Sequence, residues 1–255
     1  MSQLDLACNA NISVRQLGFI ETGRARPAGQ LLLHLAACLD IPLRERNALL
    51  HAAGFAEAYP ERAFDEPDLA PVRRSVEAVL AGFEPHPALA LDRHWTMLAA
   101  NRALPRLVAG AESLLLRPPV NLLRLALHPA GLAPRIVNLA EWRDQMLARL
   151  RRQIAATGDA ALQDLLEELW DYPCPRGKPP EGDVPSVPAI PLRLATIDGE
   201  LSFHGTSTVI CMPADITVSE LTIEAFLPAD AHTASVMRQA LPRERGVRTP
   251  AIAVG

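Results

Sequence analysis

Two helix starts stand eleven positions apart at the head of this 255-residue chain, and together they leave this end of it few ways to fold. Ser2 is followed three residues on by Asp5, and Ser13 by Gln16. A serine hydroxyl and an acid or amide at that spacing can satisfy the orphan N–H groups of a first helical turn. The spacing therefore predicts a first helix of about two turns, a tight turn at Ala10-Asn11-Ile12, and a second helix from Ser13. Asn is the residue after Gly that best tolerates the positive φ such a turn requires. Leu4, Ala7, Ile12, Leu17 and Ile20 are the expected buried set, with small Ala7 where the helices cross. Val14, Arg15, Gly18 and Phe19 are expected on the exposed side.

Two further helices are expected at 27–39 and 42–53, the first opened by Pro27 and the second stopped by Gly54. The spacing, the turn and the ETGRARP segment at 21–27 resemble the lambda-repressor-like (Cro/C1, or XRE) helix-turn-helix regulators. The resemblance implies an all-α DNA-binding domain at 1–59. It places Gln3 at a phosphate and Ser13, Arg15, Gln16 and Phe19 on the helix facing the major groove. An arginine there can take the O6/N7 edge of guanine, and an apolar side chain can meet a thymine methyl. Arg24 and Arg26 would contact phosphates. The competing reading is a small helical bundle and nothing more.

Regulators of that kind have a helix before the pair, and here the chain begins at the pair itself. Leu4, Leu17 and Ile20 are therefore expected to lose part of their cover. At ~25 cal/mol per Å2, a few hundred Å2 of lost burial is worth several kcal/mol. A start assigned too far downstream, or a degraded gene copy, would account for it. So would cover supplied by a partner or by the second domain.

Residues 1–60 carry five arginines and five acids, a formal charge of zero where a DNA-binding module is usually basic. Over the whole chain the formal charge is −4, that of an ordinary cytoplasmic protein. The polar N-terminus does not read as a signal peptide, and no apolar run approaches the ~20 residues of a membrane span. Cys8, Cys38, Cys174 and Cys211 are scattered without a C-x-x-C pair, so buried free thiols are expected, with no metal and no cofactor. No catalytic constellation stands out: 204–207 lacks a nucleophile elbow, and Glu167-Glu168 reads as a solvated helix face. An enzyme with a regulatory N-terminus is the weakest of the readings.

A second domain is expected at 66–241, after an acidic, proline-bearing link at 61–67. A helix at 68–83 is followed by strands at 88–91 and 95–99, and Asn101 opens another helix. Helices at 139–156 and 159–170 follow, the first with Leu139, Trp142, Met146, Leu150 and Ile154 on one face and Arg143, Arg149, Arg151 and Arg152 on the other. Residues 172–191 hold seven prolines and read as a loop. Strands at 190–196, 201–212 and 221–227 then return, the first two joined by a turn at Asp198-Gly199, and a helix is expected at 231–241. The tail, 242–255, reads as disordered.

The segments LDRHWTMLAANRA, NLLRLALHPAGLAPRIVNLAEW and ELSFHGTSTVICMPADITVSELTIEAFLPAD, in that order, resemble the ligand-binding domain of MmyB-like regulators. That resemblance implies a PAS-like sensor domain with an antiparallel sheet, an α+β chain overall, and an apolar pocket for fatty-acid-like ligands. Trp95, Trp142, Met146, Phe203, Cys211 and Phe226 are candidates to line it, against the plainer reading that they are core. Arg124, His128 and Arg135 could hold a carboxylate head, against the plainer reading that they are surface. Together these features describe a homodimeric DNA-binding regulator that senses a small apolar or fatty-acid-like molecule. The alternative is a truncated ligand-binding or dimerisation module without DNA binding.

Overall fold

The computed structural model describes residues 1–174 and 189–240. The chain divides into two compact units: Met1–Pro67 with Ile210–Glu220, and Asp68–Val209 with Leu221–Gly255. The expected loop at 172–191 lies largely outside the described residues, and the expected tail at 242–255 lies wholly outside them.

The first unit holds α1 (Gln3–Asn9), α2 (Val14–Glu21), α3 (Gly29–Cys38), α4 (Leu43–Ala52) and, from the later segment, α10 (Ile216–Ser219). The capping box forms at α1: Asp5 N–H donates to Ser2 Oγ at 3.1 Å, and Ser2 N–H donates to Asp5 Oδ2 at 2.9 Å. Ser13 Oγ likewise accepts from Gln16 N–H at 3.1 Å. Asn11 between them has φ 51°, the left-handed conformation the turn calls for. Ala7, Ala10, Leu17 and Leu35 form the small buried core. Leu17, expected to lose part of its cover, is buried, whereas Leu4 does lose its cover and is 60% exposed.

The later segment belongs to this unit through named bonds. Arg44 of α4 donates to Glu220 (Nε to Oε1 at 2.8 Å, Nη2 to Oε2 at 2.9 Å) and to Glu61 (Nη1 to Oε2 at 2.8 Å). Arg62 pairs with Asp215 at 3.0 Å, and Thr217 Oγ1 donates to the Arg62 carbonyl at 2.6 Å. Buried Asn47 ties the chain at 58–59, accepting from the Ala58 and Tyr59 N–H groups and donating to the Tyr59 carbonyl.

The second unit holds α5 (Ala70–Gly82), β1 (Ala88–Leu91), β2 (Met97–Ala100), α6 (Leu104–Leu107), α7 (Leu122–Leu127), α8 (Leu139–Thr157), α9 (Ala160–Asp171), β3 (Leu192–Thr196), β4 (Gly199–Val209), β5 (Thr222–Pro228) and α11 (Ala231–Ala240). The strands form one antiparallel sheet in the order β2-β1-β5-β4-β3. Mixed helix and antiparallel sheet make the chain α+β. Leu147 and Leu150 of α8, Leu162 and Leu169 of α9, Leu125 and Leu127 of α7, and Phe203 of β4 are sealed in its core. Each such side chain is worth about 1.5–3 kcal/mol of burial.

Several expected boundaries move, each for a local reason. The second strand begins at Met97 because Trp95 has φ 67°, and Asp92 Oδ1 accepts from the His94 and Thr96 N–H groups to make the turn. Asn101 does not open α6, because its side chain is taken up by backbone groups of neighbouring segments. The β3–β4 loop is Ile197-Asp198, with Thr196 paired to Gly199, whose φ of 98° suits only glycine. β4 stops at Val209 because the chain from Ile210 enters the helical unit.

Candidate functional site

Two places carry the residues singled out from the sequence. The first is the α1–α2 pair. Arg15 is exposed and its guanidinium lies 5.2 Å from the Phe19 ring centroid. Gln3 is exposed and donates to Glu21 Oε2 at 2.7 Å, while Gln16 and Ser13 sit at the start of α2. Arg24 is exposed. Arg26 is exposed too but is partly committed, since its Nη2 donates to the Ala53 carbonyl beside Gly54.

The second place is a cavity of about 300 Å3 inside the sheet-bearing unit, between α8, α6, α7 and the β4–β5 face. Four of the expected residues line it: Trp95, Trp142, Met146 and Phe226. Its apolar depth is completed by Leu104, Leu107, Leu123, Leu132 and Ile136, and its polar end by Gln145, Arg149, Ser207 and Glu224. Gly205 and Ser207 on β4 are exposed, so that end is the mouth. Arg149 Nη2 donates to Glu224 Oε1 at 2.6 Å, and Ser207 Oγ donates to the same oxygen at 2.8 Å. The guanidinium also lies over the Trp95 ring, 4.5 Å from its centroid. Trp95 is held in turn by its indole N–H, which donates to Gln153 Oε1 at 2.9 Å. A charged pair at the entrance and an apolar interior suit a molecule with an apolar body and a polar end.

The remaining expected residues lie elsewhere. Arg124 pairs with Glu168 at 2.6 Å on the outside of the α7–α9 pair, and that guanidinium holds the Glu168 carboxyl below the usual range. His128 Nδ1 accepts from the Ala130 N–H, and its ring meets Tyr172 edge-on at 5.0 Å. Neither lines the cavity. Phe203 lines a second cavity, of about 530 Å3, together with Leu194, Leu201 and Met237. The charged rim there is already paired: Arg106 with Asp198, and Arg135 with the Leu107, Ala109 and Ala195 carbonyls. Cys211 is exposed and belongs to the helical unit. The thiols are not buried as expected: Cys8 and Cys211 are exposed, and Cys38 and Cys174 are half-buried.

Arg149, expected on the helix face away from Trp142 and Met146, instead lines the cavity with them, and Glu224 is a further lining residue; both left a signal. Arg149 follows Trp142 by seven residues and Met146 by three, which puts all three on one helical face. Glu224 precedes Phe226 by two, which puts both on one face of a strand.

Among the described residues no group of three or more His, Cys, Asp or Glu could hold a metal ion. No helix among them is long and apolar enough to cross a membrane. The model of the MmyB-like transcription regulator ligand binding domain matches residues 72–240. Comparison with curated proteins gives no match.

Proposed function

The chain belongs to the MmyB-like transcription regulator ligand binding domain family, and from that premise we propose that it is a ligand-responsive, DNA-binding transcription regulator. The observation that carries the reading is the family match over 72–240, with a cavity inside it and four short helices ahead of it. α1 and α2, capped at Ser2 and Ser13 and joined through Asn11, support a helix-turn-helix of the XRE kind. In it α2 enters the major groove, with Arg15, Gln16 and Phe19 toward the bases and Gln3 and Arg24 toward phosphates. A five-stranded antiparallel sheet with a cavity under its helices supports a PAS-like sensor that takes a small apolar or fatty-acid-like molecule. The protein acts in the cytoplasm as a homodimer on two half-sites about one helical turn apart.

Ligand can change DNA affinity only if it binds the DNA-competent and incompetent arrangements unequally. Chain order offers a route for this. The segment Ile210–Glu220, which folds with the helical unit, is continuous with β4 and β5, the strands that carry Ser207 and Glu224.

Substituting Arg15 and Arg24 tests the DNA-binding half. Arg15→Ala is expected to weaken the best duplex by about 1–3 kcal/mol and to relax preference at one base pair. Arg24→Ala is expected to weaken all duplexes alike. Equal losses on every duplex from both variants, measured by competition titration, would remove α2 from the groove. A second reading is a DNA-binding-deficient ligand or dimerisation module. It is favoured by the zero formal charge of residues 1–60 and by the exposure of Leu4.

A further inference from the structure

The mouth of the cavity has an electrical character of its own, and it bears on which ligands can enter. Arg149, Glu224 and His204 are the titratable side chains lining it, with Gln145 and Ser207 as neutral polar neighbours. Glu224 is only 6% exposed and stands in mid-strand on β5, opposite Ser207 of β4 and Leu89 of β1. Its Oε1 takes both the Arg149 guanidinium and the Ser207 hydroxyl. Arg149 is thus pinned twice, by a carboxylate at one edge and by the Trp95 ring on one face. The one arginine able to recognise an anionic head is already neutralised by a carboxylate built into the sheet. A ligand carboxylate seated there would stand beside Glu224, and like charges in a partly desolvated site oppose each other. A hydroxyl or amide brings no charge and can both donate to the carboxylate and accept from a neighbouring donor.

We infer that the cavity takes an uncharged amphiphile, an aliphatic body with a hydroxyl or amide head, in preference to the fatty-acid anion of the same length. The inference rests on the reading of this cavity as the ligand site. A volume of about 300 Å3 stands at the lower end of the ~300–1,000 Å3 of small-molecule pockets. That sets a ten-carbon chain as the probe.

The test compares 1-decanol with decanoate on the full chain at neutral pH. Binding is read from tryptophan fluorescence, since Trp95 and Trp142 line the cavity. Decanol is expected to bind at least tenfold more tightly. Glu224→Gln removes the fixed negative charge and keeps the shape, so it should release Arg149 to the carboxylate and narrow or reverse the ratio. Arg149→Gln, which takes the paired cation away from Glu224, should widen it, and this arm decides the matter if the Glu224 variant does not fold. Decanoate binding as tightly as decanol in the unaltered chain would overturn the inference and leave the cavity as a ligand site. A preference for decanol that neither variant changes would overturn the role given to the pair. If neither probe binds, the ligand-site reading falls and the inference falls with it.

Discussion

Replacing Asn101 by Ala is expected to destabilise the sheet-bearing unit more than any other single polar substitution described here. Asn101 is 6% exposed and its side chain makes four bonds to the main chain. Oδ1 accepts from Ala88 N–H at 3.1 Å and from Ala103 N–H at 3.2 Å. Nδ2 donates to the Leu80 carbonyl at 3.1 Å and the His86 carbonyl at 2.8 Å. One amide therefore joins the end of α5, the turn before β1, β1 itself and the approach to α6. Alanine would orphan several backbone groups in a place that water does not reach. At ~1–3 kcal/mol for each unsatisfied group, a loss of about 3–6 kcal/mol follows. That is a large part of the ~5–15 kcal/mol by which a domain is stable. Chemical denaturation followed by circular dichroism would measure it. A loss below about 1 kcal/mol would mean that the amide is not the tie the geometry describes.

Gly205→Phe should do the reverse, removing ligand binding while leaving the fold intact. Gly205 sits on β4 opposite Phe226, and both line the cavity. A Cβ added at Gly205 meets no atom within 4 Å, and its φ is not in the left-handed range, so a side chain fits without strain. Glycine weakens a strand, and an aromatic residue can improve it by up to about 1 kcal/mol. The ring would occupy the exposed mouth beside Ser207. Decanol affinity is expected to fall more than tenfold, with the melting temperature unchanged or higher. Unchanged affinity would place the ligand outside this cavity.

What could be read from the sequence follows how local each determinant is. The Ser2 and Ser13 caps and the Asn11 turn depend on residues three or four apart, and they form where the spacing predicts. The helix at 159–170 is likewise legible, since Leu162, Leu165 and Leu169 repeat at helical spacing and all three are buried. Leu4 is exposed, as the expected loss of cover has it, whereas Leu17, expected to lose cover with it, is buried. Arg149 is hard to place because a charge on an amphipathic helix reads with the polar face, although its spacing from Trp142 puts it with the cavity. Arg124 and His128 are neighbours of an apolar run in sequence only. α7 is short, and Leu123 and Leu127 turn inward while Arg124 turns out to Glu168. Cys211 lies in a strand-to-strand connection that folds with the helical unit, and that connection is held by Arg44 and Arg62, far away in sequence.

Fluorescence anisotropy of the full chain on a duplex carrying its own upstream region, at two salt concentrations and with or without 1-decanol, measures DNA binding and its response to ligand together. Saturable binding that weakens steeply as salt rises is expected, with a duplex affinity that shifts when decanol is present. Absence of salt-dependent binding to any duplex, with decanol still bound, would contradict the regulator reading and leave a ligand-binding module that does not regulate through DNA.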